Sequence, residues 1–344
     1  MTKKKNTKHY IVAAIALLLL VAAIGSLLYL RGLRLTNSEA VTIFIPTGST
    51  YDDALDTLHA HHCVDNGRTF AMLSKLRRYP DHVKPGCYKL DAKMNCWKAL
   101  TKLYYGNQDP VRVTIGKYRT ADKLCQYVAR RLELDADSLL TIMNDKAICQ
   151  RYGFTPQTIL GMFVQNTYDI YWTTTPEKFL DRMQQEYNRF WNDDRRGKCD
   201  ALNLTADEVT IVASIVDEET NKDDEKADIA SVYLNRLRKG MLLQADPTVK
   251  YAVGDFTLRR ILTVHTQSDN PYNTYRYKGL PPGPICIPSV ASIEAVLQNK
   301  PTNYLYFCAK ADFSGRHAFA STLGEHNANA AAFHAEMNRR KIYK

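Results

Sequence analysis

The run Thr205-Ala-Asp-Glu-Val-Thr-Ile-Val-Ala-Ser-Ile-Val-Asp-Glu-Glu-Thr220 closes an apolar helical pattern on three consecutive acids, Asp217, Glu218 and Glu219. A carboxylate carried against an apolar surface is costly when ionised, so its pKa rises. A raised pKa is what a general acid near neutral pH requires. Thr205 followed by Glu208 is a capping-box pattern that marks the helix start, and Val209, Ile211, Val212, Ile215 and Val216 supply the core-facing stripe. At roughly 100° per residue, Glu219 falls within about 15° of the centre of that stripe, Glu218 about 110° away, and Asp217 on the opposite face. One acid of the three therefore points inward, and Glu219 is the candidate proton donor. The alternative is a solvated acidic helix end that continues into Asp223, Asp224 and Glu225.

Other elements must position such an acid. A second helix is expected from about Lys226 to Lys239, closed by Gly240, with Ile229, Val232, Tyr233 and Leu237 inward. The segments 241–248, 270–275 and 279–284 are dense in Pro, Gly, Asn and Thr, which hold backbone in specific turns and can present polar groups to a ligand. Tyr304 to Phe307 reads as a strand with Arg316 to Phe319 as its partner, and Glu325-His326-Asn327 opens the terminal helix. Upstream, a strand followed by a helix recurs: Val41 to Ile45 before a helix capped by Thr50 with Asp53 at its third position; Gly86 to Leu90 before a helix bearing Trp97, Leu100 and Tyr104; Val111 to Ile115 before a Thr120-capped helix. Residues 135–200 read as mainly helical, interrupted by the aromatic-rich stretch 163–172, whose rings either pack a junction or line a cleft for stacking on sugars.

Tyr10 to Leu30 contains no charged residue and, as a helix, extends roughly 31 Å, which predicts a membrane crossing. Lys3, Lys4, Lys5 and Lys8 precede it, which predicts a cytoplasmic N-terminus and an exported remainder; a cleaved signal peptide is the rival. The net charge of +10 includes those lysines, so nucleic acid is excluded as a partner in favour of anionic lipid or an acidic wall polymer. The eight cysteines lack C-x-x-C spacing, which argues against zinc or a redox motif and leaves open a bridge among Cys63, Cys87 and Cys96. His59-Ala-His-His-Cys63 closes an amphipathic helix, where such side chains suit the dipole, and no metal is expected there.

Seven segments in this order resemble one family: Ala213-Ser-Ile-Val-Asp-Glu-Glu-Thr220, Val232-Tyr-Leu-Asn-Arg-Leu237, Leu243-Gln-Ala-Asp-Pro-Thr-Val249, Pro271-Tyr-Asn-Thr-Tyr275, Gly279-Leu-Pro-Pro-Gly283, Tyr304-Leu-Tyr-Phe307 and His326-Asn327. Together they resemble the endolytic murein transglycosylases, also called the YceG-like family. The resemblance implies an α+β fold: a single N-terminal transmembrane helix, a small LysM-like α+β module, and a mixed α+β YceG-like catalytic domain. The corresponding divisions are 1–9 cytoplasmic tail, 10–30 transmembrane helix, 31–40 linker, 41–109 LysM-like module, 110–204 intermediate part and 205–344 catalytic part. The chain departs from the family at Gln165-Asn-Thr167, where Pro-Asp-Thr is frequent, and at Pro288-Ser289, where many members read Pro-Gly.

The resemblance also implies a substrate and a mechanism. The substrate is peptidoglycan, cut at the β-1,4 bond from N-acetylmuramic acid to N-acetylglucosamine within a strand, without water and without a cofactor. The family's catalytic glutamate falls on Glu219, which would protonate the leaving oxygen and then accept the proton of the muramic 6-hydroxyl as it closes to a 1,6-anhydro ring. Gln244, Asn273 and Tyr275 are the expected substrate contacts, each with loop-pinning as its plain structural alternative. Asp246 is a nearby second carboxylate that a conventional glycosidase would need, although Pro247 after it favours an Asx turn. His317, His326 and Asn327 are further cleft candidates that are equally ordinary as strand and helix-cap residues. The expected setting is the inner membrane with the catalytic domain periplasmic, acting on new strands beside wall-synthesis proteins. The rivals are a hydrolytic muramidase and an inert wall-binding scaffold.

Overall fold

A computed structural model describes residues 3–32, 34–64, 68–258 and 260–340 and, within the first helix, the side chains of 9–23 and 26. The elements in chain order are α1 (Lys3–Gly32), β1 (Val41–Ile45), α2 (Tyr51–Ala60), α3 (Arg68–Leu76), β2 (Gly86–Leu90), α4 (Cys96–Tyr105), β3 (Val111–Ile115), α5 (Ala121–Ala129), α6 (Ala136–Asn144), α7 (Lys146–Arg151), β4 (Asn166–Ile170), α8 (Pro176–Phe190), α9 (Asp193–Leu202), α10 (Ala206–Glu219), α11 (Asp223–Arg238), α12 (Asp246–Val253), α13 (Thr263–Thr266), α14 (Val290–Leu297), β5 (Tyr306–Ala309), β6 (His317–Ala320) and α15 (Leu323–Arg339). The architecture is α+β, with two-stranded sheets β1-β2, β3-β4 and β5-β6 among the described residues. The chain divides into two compact units, residues 1–112 with 131–133 and 169–174, and residues 113–130 with 134–168 and 175–344.

In the first unit β1 pairs antiparallel with β2, Val41 opposite Leu90 and Ile45 opposite Gly86. Ile43, Ile45, Tyr88 and Leu90 then share a core with Ala54 and Leu58 of α2, Phe70 and Leu73 of α3, and Leu100 and Leu103 of α4. Thr50 and Asp53 close a reciprocal capping box at the start of α2, which satisfies donors that the first helical turn leaves free.

The membrane-spanning helix expected over residues 10–30 is corrected by the structure. α1 is helical, yet no helix among the described residues is long and apolar enough to cross a membrane. Within the expected span, the side chains of residues 24, 25 and 27–30 lie outside the described residues.

The second unit is built around α10. Thr205 and Glu208 form the capping box at its start, and every residue from Val209 to Asp217 is buried. α14 and α11 pack against it, and α9 and α12 adjoin it as well. Over Val209 to Asp217 the helix has no solvent face, so the expectation that Asp217 looks outward fails: its residue is 4 % exposed. The helical wheel ranks faces by one helix's own apolar stripe, and it cannot register neighbours arriving from 117, 226, 289 and 292. α11 begins at Asp223, a turn earlier than the apolar pattern indicates, because Asp223, Asp224 and Glu225 suit the positive end of its dipole. β5 and β6 pair antiparallel, Tyr306 opposite Ala320 and Ala309 opposite His317, and α15 packs on both strands.

Candidate active site

Glu219 is the last residue of α10, and Thr220 caps it with extended backbone, so the chain turns away just after the acid. The end of the helix is pinned by the two acids before it. Asp217 receives Ser289 Oγ at 2.5 Å and Ser292 Oγ at 2.5 Å, and ion-pairs with Lys117 Nζ at 2.8 Å. Burial pushes the Asp217 carboxyl up, but the bonds from Lys117, Ser289 and Ser292 outweigh that and hold its pKa at about 2. Glu218 accepts a bidentate pair from Arg119, at 3.1 Å from Nε and 2.7 Å from Nη2. With both neighbours clamped, the last turn has one orientation, and Glu219 faces a cleft of about 360 Å³.

Glu219 meets the cleft, and its carboxyl is otherwise enclosed by protein. Tyr233 of α11 donates its hydroxyl to Glu219 Oε1 at 2.5 Å. Burial raises the Glu219 pKa from 4.5 to about 7; the Tyr233 bond opposes the rise, Asp246 adds to it, Lys250 opposes it, and Glu218 adds to it. The acid is therefore about half protonated near neutral pH, the condition for general acid catalysis.

The cleft is lined by Glu219, Tyr233, Arg236, Leu243, Gln244, Asp246, Tyr275, Tyr306, Phe307, Leu323 and His326. Arg236, one turn beyond Tyr233 on α11, is buried and uses its guanidinium as a brace. Nε donates to Leu305 O at 2.6 Å and Nη1 to Leu243 O at 2.9 Å, which ties the 242–244 loop to the segment entering β5. Gln244 holds a left-handed φ of 51°, uncommon for a residue with a Cβ, and its backbone N–H donates to Thr274 O at 3.1 Å. Its exposed side chain is thereby turned into the cleft, with Oε1 3.3 Å from Arg236 Nη1. Asp246 opens α12 ahead of Pro247, and its carboxylate accepts the Tyr275 hydroxyl at 2.6 Å, the bond that occupies it in place of the expected Asx turn. His326 of α15 stacks on Tyr306, ring centroids 5.4 Å apart.

Of the residues singled out in the sequence, Glu219, Gln244, Asp246, Tyr275 and His326 thus meet in one cleft. Asn273 stands behind it, 0 % exposed, with Nδ2 donating to the carbonyls of Thr266 and Ser268 and Oδ1 accepting from the Tyr275 N–H at 3.1 Å. It sets the loop that carries Tyr275. Asn327 is exposed on α15, which is capped by Thr322. The His317 N–H donates to Glu225 Oε1 at 2.9 Å and its ring meets Phe307 edge-on, outside the cleft lining. Sequence reasoning assigned Tyr233 to the core and overlooked Arg236; their signal was a polar tip and a cation three residues apart on an otherwise apolar helix face. All eight cysteines are free thiols, so the bridge left open among Cys63, Cys87 and Cys96 is absent. Among the described residues no cluster of His, Cys, Asp and Glu could hold a metal ion.

Residues 43–332 match the YceG-like family. The chain is 28% identical to the endolytic murein transglycosylase of Streptococcus pneumoniae serotype 2 (strain D39 / NCTC 7466) over 95% of its own length, and spans 65% of that relative. It is 26% identical to the endolytic murein transglycosylase of Bacillus subtilis (strain 168), covering 88% of each chain. The crystal structure of a yceG-like protein from Listeria monocytogenes superposes with a TM-score of 0.57 at 28% identity, covering 85% of this chain and 99% of that one.

Proposed function

Since this chain belongs to the YceG-like family, we propose that it is an endolytic peptidoglycan transglycosylase, a lyase that cuts within glycan strands outside the cytoplasm. The observation that carries this reading is Glu219, an acid whose pKa burial raises to about 7, at the wall of a cleft lined by polar and aromatic groups. Protonated Glu219 gives its proton to the oxygen joining muramic C1 to the next sugar. The C1–O bond breaks and its electron pair stays on the leaving oxygen. The muramic 6-hydroxyl then closes on C1, its proton returns to Glu219, and the 1,6-anhydro end forms with no water consumed. Tyr275 offers a ring for stacking, and Gln244 and His326 offer hydrogen bonds to acetamido and hydroxyl groups. On the same reading residues 41–109 serve as the LysM-like module, and new strands beside the wall-synthesis machinery are the substrate.

A second reading has one observation in its favour. Asp246 lies in the same cleft as Glu219, and a glycoside hydrolase uses two carboxylates flanking the scissile bond. That assignment predicts a muramidase that consumes water. Digestion of purified glycan strands separates the two: transglycosylation yields products lighter by one water, whereas reducing ends would replace it with the hydrolytic reading. Unchanged cleavage by Glu219→Gln would remove both, since loss of general acid catalysis alone should cost about 100-fold to 10,000-fold in rate.

A further inference from the structure

We infer that Tyr233 is a positioning residue that assigns different tasks to the two oxygens of Glu219, holding Oε1 as an acceptor and leaving Oε2 as the oxygen that carries the transferable proton. The inference rests on the reading of Glu219 as the acid and adds to it which oxygen acts. Three features carry it. Tyr233 is 1 % exposed, and its hydroxyl's partner is Glu219 Oε1 at 2.5 Å. Burial and the neighbouring Glu219 charge keep the phenol protonated far beyond neutral pH, so the tyrosine brings a hydrogen to the carboxylate whenever Glu219 is ionised. The ring packs edge-on against Phe307, centroids 6.0 Å apart, which restrains where the hydroxyl stands. A proton on Oε1 would oppose the Tyr233 hydrogen; on Oε2 it meets no such donor and is free for the glycosidic oxygen.

The same bond fixes the direction of a pH effect. Hydrogen bonding to a carboxylate favours its ionised form, so Tyr233 makes Glu219 a stronger acid than its burial alone would allow. Other charges face the pair: Glu218 on the same helix, Asp246 and Lys250 from α12, and Arg236 from α11. Across the cleft stands His326 of α15. Arg236 is committed to backbone carbonyls and cannot replace the tyrosine as a donor without releasing the 242–244 loop.

The test is a carbon-13 titration of the Glu219 Cδ and Tyr233 Cζ resonances in the full chain, alongside the pH profile of kcat on glycan strands. In the wild-type protein both carbons should step at one shared midpoint, and the Tyr233 step should vanish in Glu219→Gln. Tyr233→Phe should raise the Glu219 midpoint and the alkaline limb of kcat together by about one pH unit, with the optimum rate about tenfold lower. A midpoint unmoved in Tyr233→Phe overturns the inference, as does a wild-type Tyr233 carbon that ignores Glu219, which decides the matter even if the Phe variant does not fold. Shared titration without any glycan cleavage leaves the hydrogen-bond assignment standing and removes the enzymatic reading instead.

Discussion

At the scale of single residues, the protein's chemistry reduces to a competition over one proton. Burial holds the proton on Glu219, and Asp246 supports that hold while Tyr233 and Lys250 loosen it. Removing Asp246's negative charge should therefore lower the Glu219 pKa. Asp246→Asn is expected to move the alkaline limb of kcat to lower pH, opposite in sign to Tyr233→Phe, with the optimum rate retained within about tenfold if no second carboxylate takes part in the reaction. Stability follows from the same proton. The unfolded carboxyl titrates near 4.5 and the folded one near 7, so between these values the native state holds the extra proton and stability falls as pH rises. Glu219→Gln lacks this loss, so its melting temperature should rise relative to wild type from about pH 5 to about pH 8 in calorimetric scans. A constant difference over that range would mean that the acid is not held protonated by its site. That an acid closes the apolar helix at Glu219 was legible in the sequence, although the periodicity wrongly turned Asp217 outward. The pKa of Glu219 was not, because Tyr233, Asp246 and Lys250 lie on other elements.

At the scale of elements, the last turn of α10 is held by its neighbours rather than by its own sequence. The carboxyl of Asp217 is buried, with Oδ1 accepting from Ser289 and Ser292 and Oδ2 paired with Lys117, so an amide in its place keeps the hydroxyls' acceptor but leaves Lys117 facing an NH2 group without its counter-charge. Asp217→Asn should cost about 3 kcal/mol, read from denaturant unfolding, and lower kcat more than it raises KM because Glu219 loses its fixed direction. Folding depresses the Asp217 pKa from 3.8 to about 2, so this group's stabilisation is present above about pH 4 and is lost as pH falls toward 2. The 279–284 turn shows a different kind of dependence. A Cβ on Gly283 would sit 2.0 Å from the Gln157 carbonyl oxygen, so only glycine lets these backbones approach. Gly283→Ala should cost about 1–3 kcal/mol as the loop is pushed away, checked by the same unfolding curves. The caps at Thr50, Thr120 and Thr205 were legible because a cap is a relation between residues three apart. The closeness of Gly283 to Gln157 could not be read from either segment.

At the scale of the whole molecule, each of two compact units carries its own buried apolar core, and neither relies on covalent cross-links. Seven of the eight free cysteines are buried, where they act as small apolar groups, and burial raises the pKa of the Cys286 thiol far above its ordinary value. A reducing agent should leave the melting temperature within about 1 °C, and thiol reagents should label Cys308 first, the others only as the chain unfolds. A marked drop in melting temperature on reduction would contradict this picture. The organisation into strand-and-helix units was legible upstream, since alternation and caps repeat there. The expected membrane span was not upheld: no helix among the described residues is long and apolar enough to cross a membrane.

The sequence by itself determined what is local: where helices start and stop, which segments turn, and that the acid before Thr220 belongs to a pattern shared across seven ordered segments. These features depend on residues within about a turn of one another, or on order along the chain. The tertiary structure alone decided which carboxylates are clamped and which is left to hold a proton. Asp217, Glu218 and Glu219 are neighbours of nearly equal chemistry, separated only by partners from positions 117, 119, 233, 246, 289 and 292. Electrostatic environment is a sum over space rather than over sequence, so three adjacent acids acquire three different fates only when the chain has folded around them.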